Sequence, residues 1–205
     1  MQNLIFYHDV LLVICYYVLF FIIRLMVRAV IFSGAYFKNL GNSFLEVIWT
    51  FIPALVLICL VEPSLVLLYY SEVFSFSQGQ VVKVIGRQWY WSYGRDLVNS
   101  YYGDLVNYDS YMVNSELVGG DFRNLEVDLP IVVSSKFPIF FFVRSRDVIH
   151  RFALPRLGVK VDAFPGRLKV GVRGGLPVGC FWGQCSEICG ANHAFMPIGL
   201  ESVLV

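Results

Sequence analysis

Two long apolar runs, residues 4–23 and 47–70, fill most of the N-terminal third of the chain and decide what it can become. The hydrocarbon core of a bilayer takes about 20 apolar residues as helix, and each run is long enough. His8 and Asp9 are the only breaks in the first, close to its start. A cleavable signal segment opens with positive charge and closes on small residues. Met1, Gln2 and Asn3 carry no basic group, so the first run is expected to stay as a membrane helix. Arg24, Arg28 and Lys38 follow it. The positive-inside rule puts them on the cytoplasmic or matrix side and the N-terminus outside. Glu46 leads into the second run, which contains Pro53, Glu62 and Pro63. Proline is tolerated in membrane helices when neighbours satisfy the freed backbone groups. Glu62 lies in the last third, where its carboxylate can reach the interface; the other reading is a functional or partner-facing carboxylate. Two crossings form a transmembrane hairpin over residues 1–72, with helices at about 4–28 and 46–70. Everything beyond is then outside.

The remainder has a different composition. Over all 205 residues only 15% are charged and 57% are hydrophobic, against about 25% charged in a soluble domain. Residues 71–205, however, hold 13 Lys+Arg and 12 Asp+Glu. A formal net charge of +1 gives no bulk field for nucleic acid. Five cysteines, odd in number and scattered, argue against a disulfide framework. Residues 80–85, 125–133, 138–144, 159–162, 168–172 and 198–205 read as short strands, with Pro130 interrupting the second. Gly, Pro and Asn lie between them, and no useful helical period appears. The expectation is an all-β, Greek-key sandwich or barrel over residues 73–205.

The densest chemistry lies near the end, in Gly183-Gln184-Cys185-Ser186-Glu187-Ile188-Cys189-Gly190-Ala191-Asn192-His193-Ala194-Phe195-Met196-Pro197. Two thiols, an imidazole and a thioether crowd into one loop of a chain with three histidines and four methionines. Soft sulfur donors select copper or zinc, and methionine favours copper. A disulfide or structural zinc pair is the plainer alternative, but zinc sites rarely use Met. His150 stands well upstream. The order His, long gap, Cys, His, Met resembles the cupredoxin pattern, in which a Greek-key sandwich holds copper. A blue-copper site needs one cysteine; here Cys-x-x-x-Cys offers two, enough to bridge two copper ions and share one electron between them. The Glu187 backbone carbonyl falls between the two sulfurs in sequence, placed to act as a weak ligand.

This loop is similar to the dinuclear copper loop of the cytochrome c oxidase subunit 2 family. So are Asp147-Val148-Ile149-His150, the segment from Leu157 to Arg167, the aromatic segment Gln88-Trp89-Tyr90-Trp91-Ser92-Tyr93, and Glu46-Val47-Ile48-Trp49-Thr50 ahead of the second apolar run. The resemblance covers nearly the whole chain in order, and the short N-terminus and two-helix form resemble the mitochondrially encoded version.

The resemblance implies a two-helix transmembrane hairpin followed by a cupredoxin-like sandwich. It implies a subunit of a proton-translocating oxidoreductase that oxidises cytochrome c and reduces oxygen to water, the oxygen chemistry belonging to subunit 1. His150, Cys185, Glu187 through its carbonyl, Cys189, His193 and Met196 would hold dinuclear copper, which passes electrons to haem a. The Glu187 carboxylate would bind magnesium at the interface with subunit 1, where a hard oxygen ligand is apt. Trp89 would receive the electron, and Glu46 would sit at the mouth of a proton-uptake path. The implied partners are cytochrome c, subunit 1, the other oxidase subunits and the lipid bilayer. The implied location is the mitochondrial inner membrane, with N-terminus and C-terminal domain in the intermembrane space.

Acidic residues around Trp89 suit a basic partner: Asp96, Asp104 and Asp109 lie in an acid-rich stretch, and Asp147 is acidic where the family places a docking carboxylate. A solvated loop face is the plainer reading of any one of them. Trp89 and Trp91 alternate, so one of the two is expected in the core. Cys15 and Cys59 read as apolar fillers; Cys180 has no assigned role. Departures from the family pattern are Arg87, Arg146 and Glu62, none of them a proposed copper ligand. A quinol oxidase subunit shares the architecture but lacks the thiol loop. A membrane-anchored copper chaperone for oxidase assembly could carry Cys-x-x-x-Cys, but would show a βαβ pattern and usually one membrane helix.

Overall fold

The computed structural model describes residues 2–32, 41–72, 79–95, 106–113 and 119–204. The chain divides into two units, residues 1–74 and 75–205. The first holds two helices, α1 (Gln2–Ile31) and α2 (Ser43–Glu72). α1 starts two residues before its apolar stretch and ends eight after it, past Arg24 and Arg28, and α2 starts four before and ends two after. At a rise of 1.5 Å per residue, 30 residues reach about 45 Å, more than the ~30 Å hydrocarbon core. Their apolar side chains point outward rather than into a core.

Asn42 caps α2: its Oδ1 accepts the Leu45 N–H at 3.3 Å. Glu46 in the first turn complements the positive end of the helix. Pro53 and Pro63 both lie inside α2. Each removes one N–H from the helical ladder. Near the second, the Tyr7 hydroxyl of α1 donates to the Leu60 carbonyl at 3.0 Å, tying the two helices together.

The second unit is a β-sandwich. Its strands are β1 (Gln80–Arg87), β2 (Tyr90–Arg95), β3 (Val106–Ser110), β4 (Ile131–Ser134), β5 (Ile139–Ser145), β6 (His150–Leu154), β7 (Val159–Ala163), β8 (Lys169–Arg173), β9 (Gly179–Gln184) and β10 (Pro197–Val203). One sheet has the order β3-β2-β1-β5-β8, a second β4-β10-β9, and β6 pairs with β7. β1–β5 and β4–β10 are parallel and the other pairs antiparallel. Strict alternation in β1 turns Gln80, Val82, Val84 and Gly86 inward. In β5, Ile139, Phe141, Val143 and Ser145 do the same. Val82, Val84, Ile139, Phe141 and Val143 join Trp91, Phe152, Ile198 and Leu200 in the core. Gln80 bridges the sheets: its amide donates to the Ser134 carbonyl at 2.9 Å and accepts the Ser134 N–H at 2.7 Å.

The expected strand at 125–133 is corrected. Only Ile131–Ser134 forms it. Residues 123–130 run through turns, with one isolated bridge from Val127 to Met112. Two backbone hydrogen bonds, from Val113 to the Glu126 carbonyl and from Asp128 to the Tyr111 carbonyl, flank that bridge, and Pro130, which cannot donate, does not extend the ladder. β2, β3, β6 and β9 lie outside the strands expected from the sequence.

Candidate metal centre

Three segments of the sandwich meet at the site. β9 ends at Gln184 and β10 starts at Pro197, so residues 185–196 form the connection of an antiparallel pair. β6 opens on His150. The turn between β1 and β2 carries Gln88 and Trp89. Gly86 permits the approach of β6, since a Cβ there would lie 2.8 Å from the His150 ring.

The donor atoms converge. Cys185 Sγ lies 4.0 Å from Cys189 Sγ and 3.9 Å from His150 Nδ1. Cys189 Sγ lies 3.4 Å from His193 Nδ1 and 3.5 Å from Met196 Sδ. The Glu187 carbonyl oxygen lies 3.3 Å from Cys185 Sγ. His150, Cys185, Cys189 and Met196 are buried, while His193 is half-buried. Among the described residues, the donor atoms of His150, Cys185 and Cys189 all fall within 4.8 Å of one another. Two thiols, two imidazoles, a thioether and a carbonyl brought together in one largely buried pocket form a sulfur- and nitrogen-rich donor set that fits copper.

Neighbouring groups orient these donors. Asp147 Oδ1 accepts from His150 Nε2 at 2.8 Å, which turns the lone pair of Nδ1 toward the sulfurs. Asp147 also takes the Gln88 N–H at 2.7 Å. Burial pushes the Asp147 carboxyl up, but the hydrogen bonds from His150, Gln88 and Val148 outweigh it and hold the pKa below its ordinary value. Burial likewise pulls His150 down, and its bonds to Cys185 and Asp147 outweigh that and raise it. The two thiols move apart. Cys185 is lowered, since hydrogen bonding by His150 and the backbone exceeds the penalty of burial. Cys189 is raised by burial and then by the charge on Cys185.

The Cys189 carbonyl accepts two bonds from the β1–β2 turn, from Gln88 Nε2 at 2.9 Å and from Trp89 Nε1 at 3.2 Å. Trp89 is half-buried and Trp91 fully buried, its ring edge-on to His150 at 5.8 Å. Gly190 is in the left-handed region at φ 124°, and a Cβ there would come 3.0 Å from the Trp89 ring.

The other sequence-selected residues lie elsewhere. Asp109 is exposed and accepts from the Ser92 hydroxyl at 2.6 Å. Asp96 and Asp104 lie outside the described residues. Glu46 is exposed in the first turn of α2. The Glu187 carboxylate pairs with Arg151 at 2.9 Å. Sequence reasoning did not single out Gln88 as a second donor to the Cys189 carbonyl, nor Arg151 at all. Gln88 carried a signal, its place next to Trp89; Arg151 carried none beyond following His150.

The family model for the periplasmic domain of cytochrome c oxidase subunit II matches residues 80–203. The model for the transmembrane domain of the same subunit matches residues 1–67. The chain is 45% identical to cytochrome c oxidase subunit 2 of Metridium senile, over 99% of this chain and 81% of that one. It is 49% identical to cytochrome c oxidase subunit 2 of Albinaria caerulea, over 78% of this chain and 69% of that one. The crystal structure of the periplasmic domain of subunit II of cytochrome oxidase of Bradyrhizobium japonicum superimposes with a TM-score of 0.55 at 41% identity, covering 62% of this chain and 86% of that one. The expectation of two apolar helices ahead of a cupredoxin-like sandwich is borne out. Two apolar helices, a sandwich with a soft-donor loop, and matches that together span nearly the whole sequence agree with one another: the chain belongs to the cytochrome c oxidase subunit II family.

Proposed function

We propose that the chain receives electrons from reduced cytochrome c at a dinuclear copper centre and delivers them to haem a in subunit 1, where oxygen is reduced to water and protons are pumped. Membership of the family makes it the electron-accepting subunit of a membrane-bound terminal oxidase, an oxidoreductase, with a copper site and other oxidase subunits as partners. The observation that carries the finer reading is the convergence of both thiols, both imidazoles, the Met196 thioether and the Glu187 carbonyl in one pocket. His150, Cys185, Glu187, Cys189, His193 and Met196 are the proposed ligands. When bound, the copper pair supplies a one-electron couple shared between two metals.

Every other role belongs to the chain's own side chains. Cys185 and Cys189 give up their protons on loading and present two thiolates. Asp147 fixes the ring of His150. Trp89 is the proposed point of electron acceptance, its indole N–H bonded directly to the Cys189 carbonyl. Asp96, Asp104, Asp109 and Asp147 are proposed to steer the basic cytochrome c. The proposed magnesium ligand is the Glu187 carboxylate, which would supply a hard oxygen donor and which also pairs with Arg151. Glu46 is proposed at the mouth of proton uptake. The proposed location is the mitochondrial inner membrane, with the N-terminus and sandwich in the intermembrane space.

The test is copper content and the electron paramagnetic resonance spectrum of the full chain in the assembled oxidase. The reading expects two coppers per chain, hyperfine structure from one electron shared equally, and slower electron transfer from reduced cytochrome c in Trp89→Phe. A single localised copper, or copper retained unchanged in His150→Ala, would move the assignment to a copper chaperone.

A further inference from the structure

Arg151, Asp162 and Lys169 form a chain of charges beside the sulfur cluster, and electron acceptance as proposed above assigns them no role. Arg151 follows His150 in β6 and is half-buried. Its Nε donates to Asp162 Oδ1, and its Nη2 pairs with Glu187 Oε2 at 2.9 Å. Asp162 stands opposite Arg151 in the β6–β7 register and is also held by Lys169 Nζ at 3.1 Å. The backbone of Arg151 contributes as well, its carbonyl accepting the Ser186 N–H at 3.0 Å. One strand residue therefore grips two consecutive loop residues, Ser186 through the main chain and Glu187 through the side chain. The next residue, Ile188, is 79% exposed, so its apolar side chain does not anchor this turn. The donors of a guanidinium lie in a rigid planar fork. Engaging Asp162 with Nε thus fixes the direction of Nη2.

We propose that Arg151 is a positioning residue of the copper centre: oriented by Asp162, it fixes the Glu187 turn so that the Glu187 carbonyl stays aimed at the sulfur pair, and it sets a cationic charge beside that pair. The inference rests on the copper reading above. The geometric part follows from Glu187 being both the residue Arg151 grips and the residue whose carbonyl lies 3.3 Å from Cys185 Sγ. The electrostatic part follows from charge: a fixed cation favours the reduced, less positive form of a nearby redox group and raises its midpoint potential. An ion pair as exposed as this one adds little to global stability. A positioning role therefore predicts changes in the centre without loss of the fold.

The experiment compares wild type, Arg151→Gln, Arg151→Lys and Asp162→Asn as the full chain in the assembled, copper-loaded oxidase. It reads the midpoint potential, the hyperfine pattern and the rate of copper loss to a chelator, alongside thermal unfolding. Arg151→Gln should lower the potential, alter the hyperfine pattern and release copper about 10-fold faster. Arg151→Lys should keep most of the potential, because the charge remains, and alter the hyperfine pattern as Arg151→Gln does, because the fork is gone. Asp162→Asn should alter the hyperfine pattern in the same sense as Arg151→Gln, with the loop sequence intact. A wild-type potential and spectrum in Arg151→Gln overturns the proposal. Loss of the fold in all three variants also overturns it, since the role is then structural. A wild-type chain without a shared-electron copper spectrum refutes the copper reading before any variant is compared, and the proposal falls with it.

Discussion

The Asp147 carboxylate lies 2.8 Å from Nε2 of His150, the ring nitrogen opposite the one that faces Cys185. A residue that the family resemblance marks as a docking charge is thus also the group that orients a candidate ligand. Outer partners of metal-bound histidines typically hold 10–100-fold in metal affinity. Asp147→Asn keeps the shape and removes the charge. It should weaken copper binding about 10-fold, read by competition with a chelator. If Asp147 serves docking alone, copper affinity will not change and only the salt-dependent rate with cytochrome c will fall.

Copper loading should release protons. Burial, and then the charge of Cys185, hold the Cys189 thiol above its ordinary pKa. Cys185 is shifted the other way, hydrogen bonding outweighing burial. A thiolate is required at both positions, so at neutral pH loading displaces the proton on Cys189. Affinity should rise with pH, about tenfold per unit for each proton displaced. Calorimetric titration in buffers of different ionisation enthalpy counts those protons. A loading reaction with no proton release would mean that the thiols are not the ligands.

Much of the architecture was legible, for reasons that individual residues make plain. The apolar runs fix the helices, and polar ends such as Gln2 and Glu72 simply continue them. The β-branched run from Gln80 to Ile85 and the alternation in Val159 to Asp162 make β1 and β7 readable. Alternation at Leu125 to Asp128 yields only the isolated bridge from Val127 to Met112, because a pattern does not say how far a pairing extends. The soft-donor loop was legible because rare residue types are concentrated there. The Asp147–His150 bond depends on how the turn before β6 closes. The Arg151–Asp162–Glu187 network depends on the β6–β7 register and on the course of the β9–β10 connection. Neither is encoded in local spacing.

Acid should weaken the sandwich through Asp162. Its carboxyl is held below the usual value by the hydrogen bond from Arg151, with burial opposing and Lys169 adding. A depressed carboxyl pKa contributes stability above the unfolded value of about 3.9, and that stability is lost as pH falls through the folded value. The group is open enough for water to screen it, so the contribution is below about 1 kcal/mol. Chemical denaturation of the copper-free chain should find Asp162→Asn slightly less stable than wild type at neutral pH. At pH values below the folded pKa the two should coincide. A gap that persists in strong acid would mean that the substitution acts through packing instead.

Gly86 and His150 make the sharpest test of the site. A Cβ at Gly86 would come 2.8 Å from His150 Cδ2 and 3.0 Å from Cγ. The ring has little freedom to give way, because Asp147 holds Nε2 and the Trp91 ring stands edge-on at 5.8 Å. Overpacking of this kind costs about 1–3 kcal/mol. Gly86→Ala should therefore lower the melting temperature of the copper-free chain and displace Nδ1 from the sulfurs. Gly119→Ala is the control, since nothing lies within 4 Å of a Cβ there. Copper stabilises the folded chain according to its affinity, so the copper-induced rise in melting temperature should be smaller in Gly86→Ala than in wild type or Gly119→Ala. An equal rise in all three, with Gly86→Ala destabilised only in its baseline, would remove His150 from the ligand set.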